Sequence, residues 1–360
     1  MPGRPKWPSP PRPRRSCEPV DLSLFFFAGN PADARANYAL LIDAVKFADA
    51  NGFTAVWTPE RHFHSFGGAY PNPAVTSAAL ATITENVRIR AGSVVAPLHD
   101  PLRIAEEWSV VDNLSGGRAG VAFASGWHTD DFVFQPDRYA DRKKATISTI
   151  ESVRDLWRGD SVSRTGGGGT PTSVSLAPRP VQPELPMWLT SAGSAETFRT
   201  AGNMGVGLLS HLLGQTTSTL ADRITDYRAA YSAANPDSNT SHVTVMAHTF
   251  IDRDGDRARA LVRQPFADYL TESFDLVSRL KADSTAEMAA EDVELLVDRA
   301  VDRYLTTSGV FGSPREAMRM IDSLRGIGVD ELACLIDFGL PHDTVMRGLE
   351  YLAALGRLIR

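Results

Sequence analysis

Short apolar runs alternate with amphipathic stretches along this chain, and that rhythm limits the fold more than any other feature. Strands are expected at residues 22–27, 54–58, 87–96, 118–124, 187–190, 206–210, 243–251 and 332–338. Helical patterns are expected at 34–51, 71–84, 102–114, 141–157, 194–202, 217–234, 256–280, 286–304, 314–327 and 343–358. Strand followed by helix with short links is the signature of parallel βα units. Eight such strands can close on themselves as a (β/α)8 TIM barrel, an α/β fold, and the 360 residues fall inside the range such barrels occupy. A doubly wound open sheet would need an unusually long sheet. Residues 20–360 are therefore read as a single barrel domain. The rhythm breaks once, after the fourth βα unit, at about 159–186. That stretch carries Pro171, Pro178, Pro180, Pro183 and Pro186 and the glycines 166–169, which suits an insertion or lid with a hairpin tip. It is not a phosphate loop, because no Gly-Lys-Ser/Thr follows the glycines.

Composition removes several function classes. The net charge of −6 gives no field favouring nucleic acid. No apolar run approaches the roughly 18 residues of a membrane helix. Cys17 and Cys334 are the only cysteines, too few for a disulfide framework or a cysteine zinc cluster, and a reducing cytoplasm suits them. Residues 1–19 read as a disordered leader rich in Pro and Arg. Its Arg14-Arg15 pair is not an export signal: the apolar run beyond it is short, Glu18 and Asp21 precede that run, and no small-residue cleavage site follows.

A barrel carries its active residues at the C-terminal ends of its strands. Strand two is followed by Glu60, Arg61, His62 and His64, with Phe63 and Phe66 among them. Strand three supplies Gly92, Ser93 and His99, and strand four Ser125, Gly126, Trp127 and His128. Strand five supplies Thr190, Ser191, Ala192, Gly193 and Ser194, and strand six Ser210 and His211. The small, polar turn at 190–194 opens a helix, so its free N–H groups and the helix dipole can hold a phosphate; an ordinary capped helix start has the same look. His62 and His64 lack the further ligands a metal pair needs, and no metal is expected. Asp337-Phe338-Gly339 has none of the companions of the kinase motif it echoes.

Several ordered motifs resemble one family. They are G-F-T-A-V-W-T-P-E-R-H-F, R-A-G-S-V-V-A-P-L-H-D-P, A-E-E-W-S-V-V-D-N-L-S-G-G-R, F-A-S-G-W, S-A-G-S-A-E-T-F-R-T-A-G and G-V-G-L-L-S-H-L-L-G-Q. Together they resemble the bacterial luciferase-like flavin-dependent monooxygenases, and within them the branch found in polyketide and nonribosomal-peptide biosynthesis. The resemblance implies reduced FMN and molecular oxygen, a separate flavin reductase, a homodimer, and an acyl or aminoacyl thioester on a carrier protein, hydroxylated at its α or β carbon. By position it implies that Gly92 and Ser93 lie beside the flavin ring, where the family often has a non-prolyl cis peptide. It places Glu60 at the ring's polar edge, Ser125, Gly126 and Trp127 along the ring, Thr190 to Ser194 on the phosphate and His211 at the ring's flank.

One position departs from the family pattern. Luciferase has a catalytic histidine where this chain has Arg61, with a second histidine at the position of His62. A guanidinium is no general base at neutral pH. Either His62 or His128 acts as the base, or none is needed, and Arg61 is left to bind an anion or steady developing charge. A deazaflavin-dependent hydride-transfer enzyme and a non-catalytic flavin-binding subunit are the alternatives on the same fold.

Overall fold

The computed structural model of the chain describes residues 19–27, 33–64, 66–236, 238, 240–280 and 290–359. Of the expected leader, all but Pro19 lies outside the described residues. The strands, in chain order, begin with β1 (Asp21–Phe25), β2 (Ala55–Thr58), β3 (Arg88–Val95) and β4 (Ala119–Ala124). They continue with β5 (Ser161–Thr165), β6 (Pro171–Ser175), β7 (Met187–Thr190) and β8 (Gly207–His211), and end with β9 (Val243–Ile251), β10 (Val310–Gly312) and β11 (Glu331–Leu335). The helices are α1 (Ala34–Ala50), α2 (Pro73–Ala81), α3 (Pro101–Ser115), α4 (Arg142–Arg158) and α5 (Ala195–Asn203). After them come α6 (Thr217–Ala234), α7 (Gly255–Leu280), α8 (Ala290–Arg303), α9 (Pro314–Gly326) and α10 (His342–Ile359).

The sheet runs β11-β1-β2-β3-β4-β7-β8-β9, every neighbour parallel, and closes where β9 meets β11. This is the expected eight-stranded (β/α)8 barrel. Buried apolar side chains on the strands and on the inner faces of the helices form one continuous core. Local chemistry sets the ends of the helices. Asn72 accepts from the N–H groups of Ala74 and Val75, so α2 begins at Pro73 rather than at 71. Ser313 and Glu316 form a capping box that starts α9 at Pro314. The short β10 was not expected; it pairs through Val310, Phe311 and Gly312 with the end of β9. Among the described residues no helix is long and apolar enough to cross a membrane.

β5 and β6 form an antiparallel hairpin in the insertion, with the glycines 166–169 at its tip. Its return path is tied to the outer helices. Ser109 Oγ donates to the Pro178 carbonyl (2.5 Å), Asn113 to that of Arg179 (2.9 Å), and the N–H groups of Val181 and Gln182 donate to Asp112 (2.8 and 2.9 Å). These bonds hold the return path of the insertion against α3, while the barrel mouth lies at the C-terminal end of the strands. Cover at that end comes from α7, whose Tyr269 ring lies 4.8 Å from that of Phe66.

Inside the barrel a buried ion pair ties β3 to β11. Arg90 lies between the rings of Trp57 (4.8 Å) and Trp188 (4.5 Å) and donates to Glu331 at 2.6 Å. Trp57 donates to the same carboxylate at 2.9 Å. Burial alone would raise the Glu331 pKa, but Arg90 and His242 hold it below the usual carboxylate value. Glu331→Leu would leave Arg90 charged and unpaired, and should cost about 3–5 kcal/mol in urea denaturation. A loss under about 1 kcal/mol would mean that the pair holds nothing together.

Candidate active site

The βα loops at the C-terminal ends of the strands bring most of the expected residues together. Beyond β2 the chain turns at Pro59, and the loop is closed by the Arg61 N–H donating to the Tyr70 carbonyl at 2.9 Å. Gly67 (φ 81°) lets this loop lie against β1: a Cβ there would sit 2.7 Å from the Phe27 carbonyl oxygen. Glu60 is buried at 4% exposure and is the hub of the cluster. Its Oε1 lies 2.9 Å from His62 Nε2 and 2.6 Å from His99 Nε2, and its Oε2 accepts from the Val95 N–H at 2.7 Å. Burial pushes the Glu60 pKa up, but the two imidazoles and the Val95 N–H outweigh it and hold the group below its ordinary value. Conversely, burial pulls His99 down while Glu60 raises it further, for a net rise.

His128 stands apart from this hub. Its Nδ1 is 3.7 Å from Asp131, and its ring is 5.6 Å from that of His64. Burial raises the Asp131 pKa against the pull of Arg61 and His128. Arg61 is buried, with its guanidinium 5.4 Å from the centre of the Trp127 ring.

The residues expected to hold a flavin begin on β3, beside this cluster, and continue through the ends of β4 and β7. The Gly92–Ser93 peptide bond is cis. Gly92 is packed so tightly that a Cβ would sit 2.7 Å from the Phe25 ring. Ser93 Oγ and Thr190 Oγ1 are 2.5 Å apart, which joins β3 to the end of β7. Ser125 and Gly126 are half-buried past β4, and Trp127 is exposed. From Thr190 the chain passes through buried Ser191, exposed Ala192, half-buried Gly193 and exposed Ser194 into α5, where Ser194 caps the helix.

Behind this turn, Ser210 Oγ donates to the Ser191 carbonyl (2.9 Å), while Gln215 Nε2 donates to Ser210 Oγ (3.1 Å) and to the His211 carbonyl. Three buried polar atoms at this end of the barrel find no partner among the described residues: His211 Nδ1, Gln215 Oε1 and His248 Nε2. Burial depresses the pKa of His211 to about 4 and that of His248 to about 3, the nearness of His211 adding to the second shift. Unsatisfied buried polar atoms each cost about 1–3 kcal/mol. A ligand with its own donors and acceptors removes that cost. The helix N-terminus with its hydroxyls suits a phosphate, so the residues present fit FMN.

Sequence reasoning did not single out Asp131, Gln215, His248 or Tyr269. His248 stands in a strand buried at all nine positions, where one histidine reads as packing; its polarity amid V-T-V-M-A-H-T-F-I was the available signal. Gln215 follows His211 by four residues on an irregular turn, and Tyr269 lies on a helix, so neither carries a strand-end signal.

Comparison with known proteins gives a consistent picture. The family model of the luciferase-like monooxygenases matches residues 20–331. The oxygenase component of the flavin-dependent trigonelline monooxygenase of Acinetobacter baylyi is 24% identical over 344 residues, spanning 91% of this chain and 92% of that protein. Among solved structures, the monooxygenase RslO1 from Streptomyces bottropensis superposes with a TM-score of 0.75 at 25% identity, covering 93% of this chain and 98% of that one. An F420-dependent secondary alcohol dehydrogenase shares the fold, with a TM-score of 0.72 at 17% identity over 95% of this chain and 99% of that one.

Proposed function

The chain belongs to the luciferase-like monooxygenase family, and from that premise we propose that it is the oxygenase component of a two-component, FMNH2-dependent monooxygenase. A separate flavin reductase supplies the FMNH2; the naming of the trigonelline relative as an oxygenase component supports that division. The substrate is an acyl or aminoacyl thioester on a carrier protein, hydroxylated at its α or β carbon during assembly of a secondary metabolite. Residues 20–360 act as one domain, as a homodimer in the cytoplasm.

Reduced FMN, when bound, supplies the two electrons with which one oxygen atom of O2 enters the substrate and the other leaves as water. Gly92, Ser93, Ser125, Gly126 and Trp127 would line its ring, His211 would flank it, and Thr190, Ser191, Ala192, Gly193 and Ser194 would hold its phosphate. Glu60 holds His62 and His99 through their Nε2 atoms, which fixes the protons of both rings and makes His62 the group placed to move a proton at the reacting end. His128, backed by Asp131, is a second proton carrier, next to His64. Phe66, Tyr269 and Trp127 limit water at the mouth.

The observation that carries this reading is the set of orphaned buried atoms on His211, Gln215 and His248, which a ligand with its own donors and acceptors would satisfy. The test is turnover with FMNH2, oxygen and a panel of loaded carrier proteins. A gain of one oxygen atom on one acyl-carrier species is the expected result, and hydrogen peroxide as the only product across the panel overturns it. The F420 dehydrogenase fold keeps a deazaflavin hydride-transfer reading in view; tight deazaflavin binding, with FMN not bound at all, would favour it instead.

A further inference from the structure

This barrel holds a buried, ring-stacked arginine twice, and only one of the two has a counterion among the described residues. Arg90 lies between Trp57 and Trp188 and meets Glu331 at 2.6 Å. Arg61 is equally buried, at 6% exposure, with its guanidinium 5.0 Å from the Phe27 ring centre, 5.5 Å from that of Phe66 and 5.4 Å from that of Trp127. Its one side-chain hydrogen bond among the described residues is long, 3.4 Å from Nη2 to the Phe66 carbonyl. A guanidinium carries five N–H donors, so most of the fork is unused.

No carboxylate among the described residues comes within the 4.0 Å of an ion pair. Glu60 is taken by His62, His99 and Val95. Asp131 is the carboxylate whose charge acts on Arg61, yet it lies 3.7 Å from His128, and burial raises its pKa. A buried cation without a partner is costly, and the cost disappears when an anion arrives. Three aromatic faces hold the side chain in place and leave the planar fork as the recognition element, a geometry matched to a carboxylate. Of the three rings Trp127 is the exposed one, at 43%, so the solvent side of the guanidinium is the side that ring covers.

We propose that Arg61 anchors a carboxylate carried by the substrate, so that the site selects acyl groups bearing a free acid, such as the monothioester of a dicarboxylic acid. This rests on the reading of the barrel mouth as the substrate site. It names the chemical class within that reading and gives Arg61 an anchoring role in place of a base.

The test is calorimetric binding to the whole chain, with FMN affinity measured separately. The probes are two matched pairs: benzoate against benzamide, and succinyl-N-acetylcysteamine against its succinamoyl counterpart. In the wild type at least one carboxylate should bind about tenfold or more tighter than its amide. In Arg61→Gln that preference should fall below about twofold. Should Arg61→Gln fail to fold, Arg61→Lys carries the test: it keeps the charge but loses the fork, and its preference should fall between the two. Equal binding of acid and amide by the wild type overturns the proposal, as does an undiminished preference in the variant. A wild type that prefers carboxylates yet fails to bind FMN leaves the anchor standing and sinks the flavin reading. One that binds FMN without any such preference does the reverse.

Discussion

Glu60→Gln should lower oxygenation turnover by about 10²–10⁴-fold while leaving the barrel folded. The substitution conserves volume but breaks a specific arrangement. Oε2 receives the Val95 N–H at 2.7 Å, so the amide oxygen must take that place. The amide nitrogen then stands where Oε1 was, facing His62 Nε2 and His99 Nε2, which had lain 2.9 and 2.6 Å from an acceptor. Both imidazoles must give up that proton or face another donor, so two tautomers change at once. Product oxygen counted by mass spectrometry, beside the hydrogen peroxide released, measures the effect; turnover within about threefold of wild type would remove Glu60 from the proton-handling role. The ion pair has its own pH window. The Glu60 pKa is lowered, so its contribution is complete above the ordinary 4.5 and is lost as pH falls through the folded value. The His99 pKa is raised, so its contribution is complete below 6.5 and is lost as pH rises through the folded value. Both act fully together between 4.5 and 6.5.

Acidification should weaken the ligand-free barrel steeply, and His248→Phe should remove much of that weakness. His211 and His248 fall from 6.5 to about 4 and about 3 on burial. A base whose folded pKa is depressed stabilises fully above its unfolded value, and that stability is lost as pH falls below 6.5, because the unfolded chain takes up the proton first. Each histidine contributes a slope of about 1.4 kcal/mol per pH unit across its interval. His248 lies among the rings of Phe266, Tyr269, Tyr304 and Phe338, at 4.9, 4.6, 6.4 and 5.8 Å, and its Nε2 has no partner. Phenylalanine suits those surroundings and removes an orphaned atom, so stability at pH 7 should hold or rise. Urea denaturation at pH 7, 6 and 5 reads the outcome: wild type and variant should diverge as pH falls, and parallel decline would show that His248 ionises freely in the folded chain.

The barrel was legible because each strand's apolar run is bracketed by turn residues and each helix carries its own buried face, so the order of elements survives errors of a few residues at their ends. What escaped depends on residues far apart in the chain. β10 is three residues long and exists through its pairing with the end of β9. Glu60 and His99 were both visible at strand ends, but their contact spans 39 positions. The role of Arg61 turns on Phe27, Phe66 and Trp127, contributed by three different strand ends, and on the absence of a facing acid, which no local pattern encodes. The insertion could be recognised as an insertion, but the anchoring of its return path on Asp112 and Asn113 of α3 spans more than sixty positions.

Trp127 offers a consequence of a different kind. Of the tryptophans among the described residues, Trp57, Trp108, Trp157 and Trp188 are buried and Trp127 alone is exposed, at 43%. Among these five its emission is therefore the one a water-soluble quencher such as acrylamide can reach, and its ring lies 5.4 Å from the Arg61 guanidinium. The native chain thus carries an optical reporter at its own doorway, and loss of quenching would time the arrival of each ligand without any label.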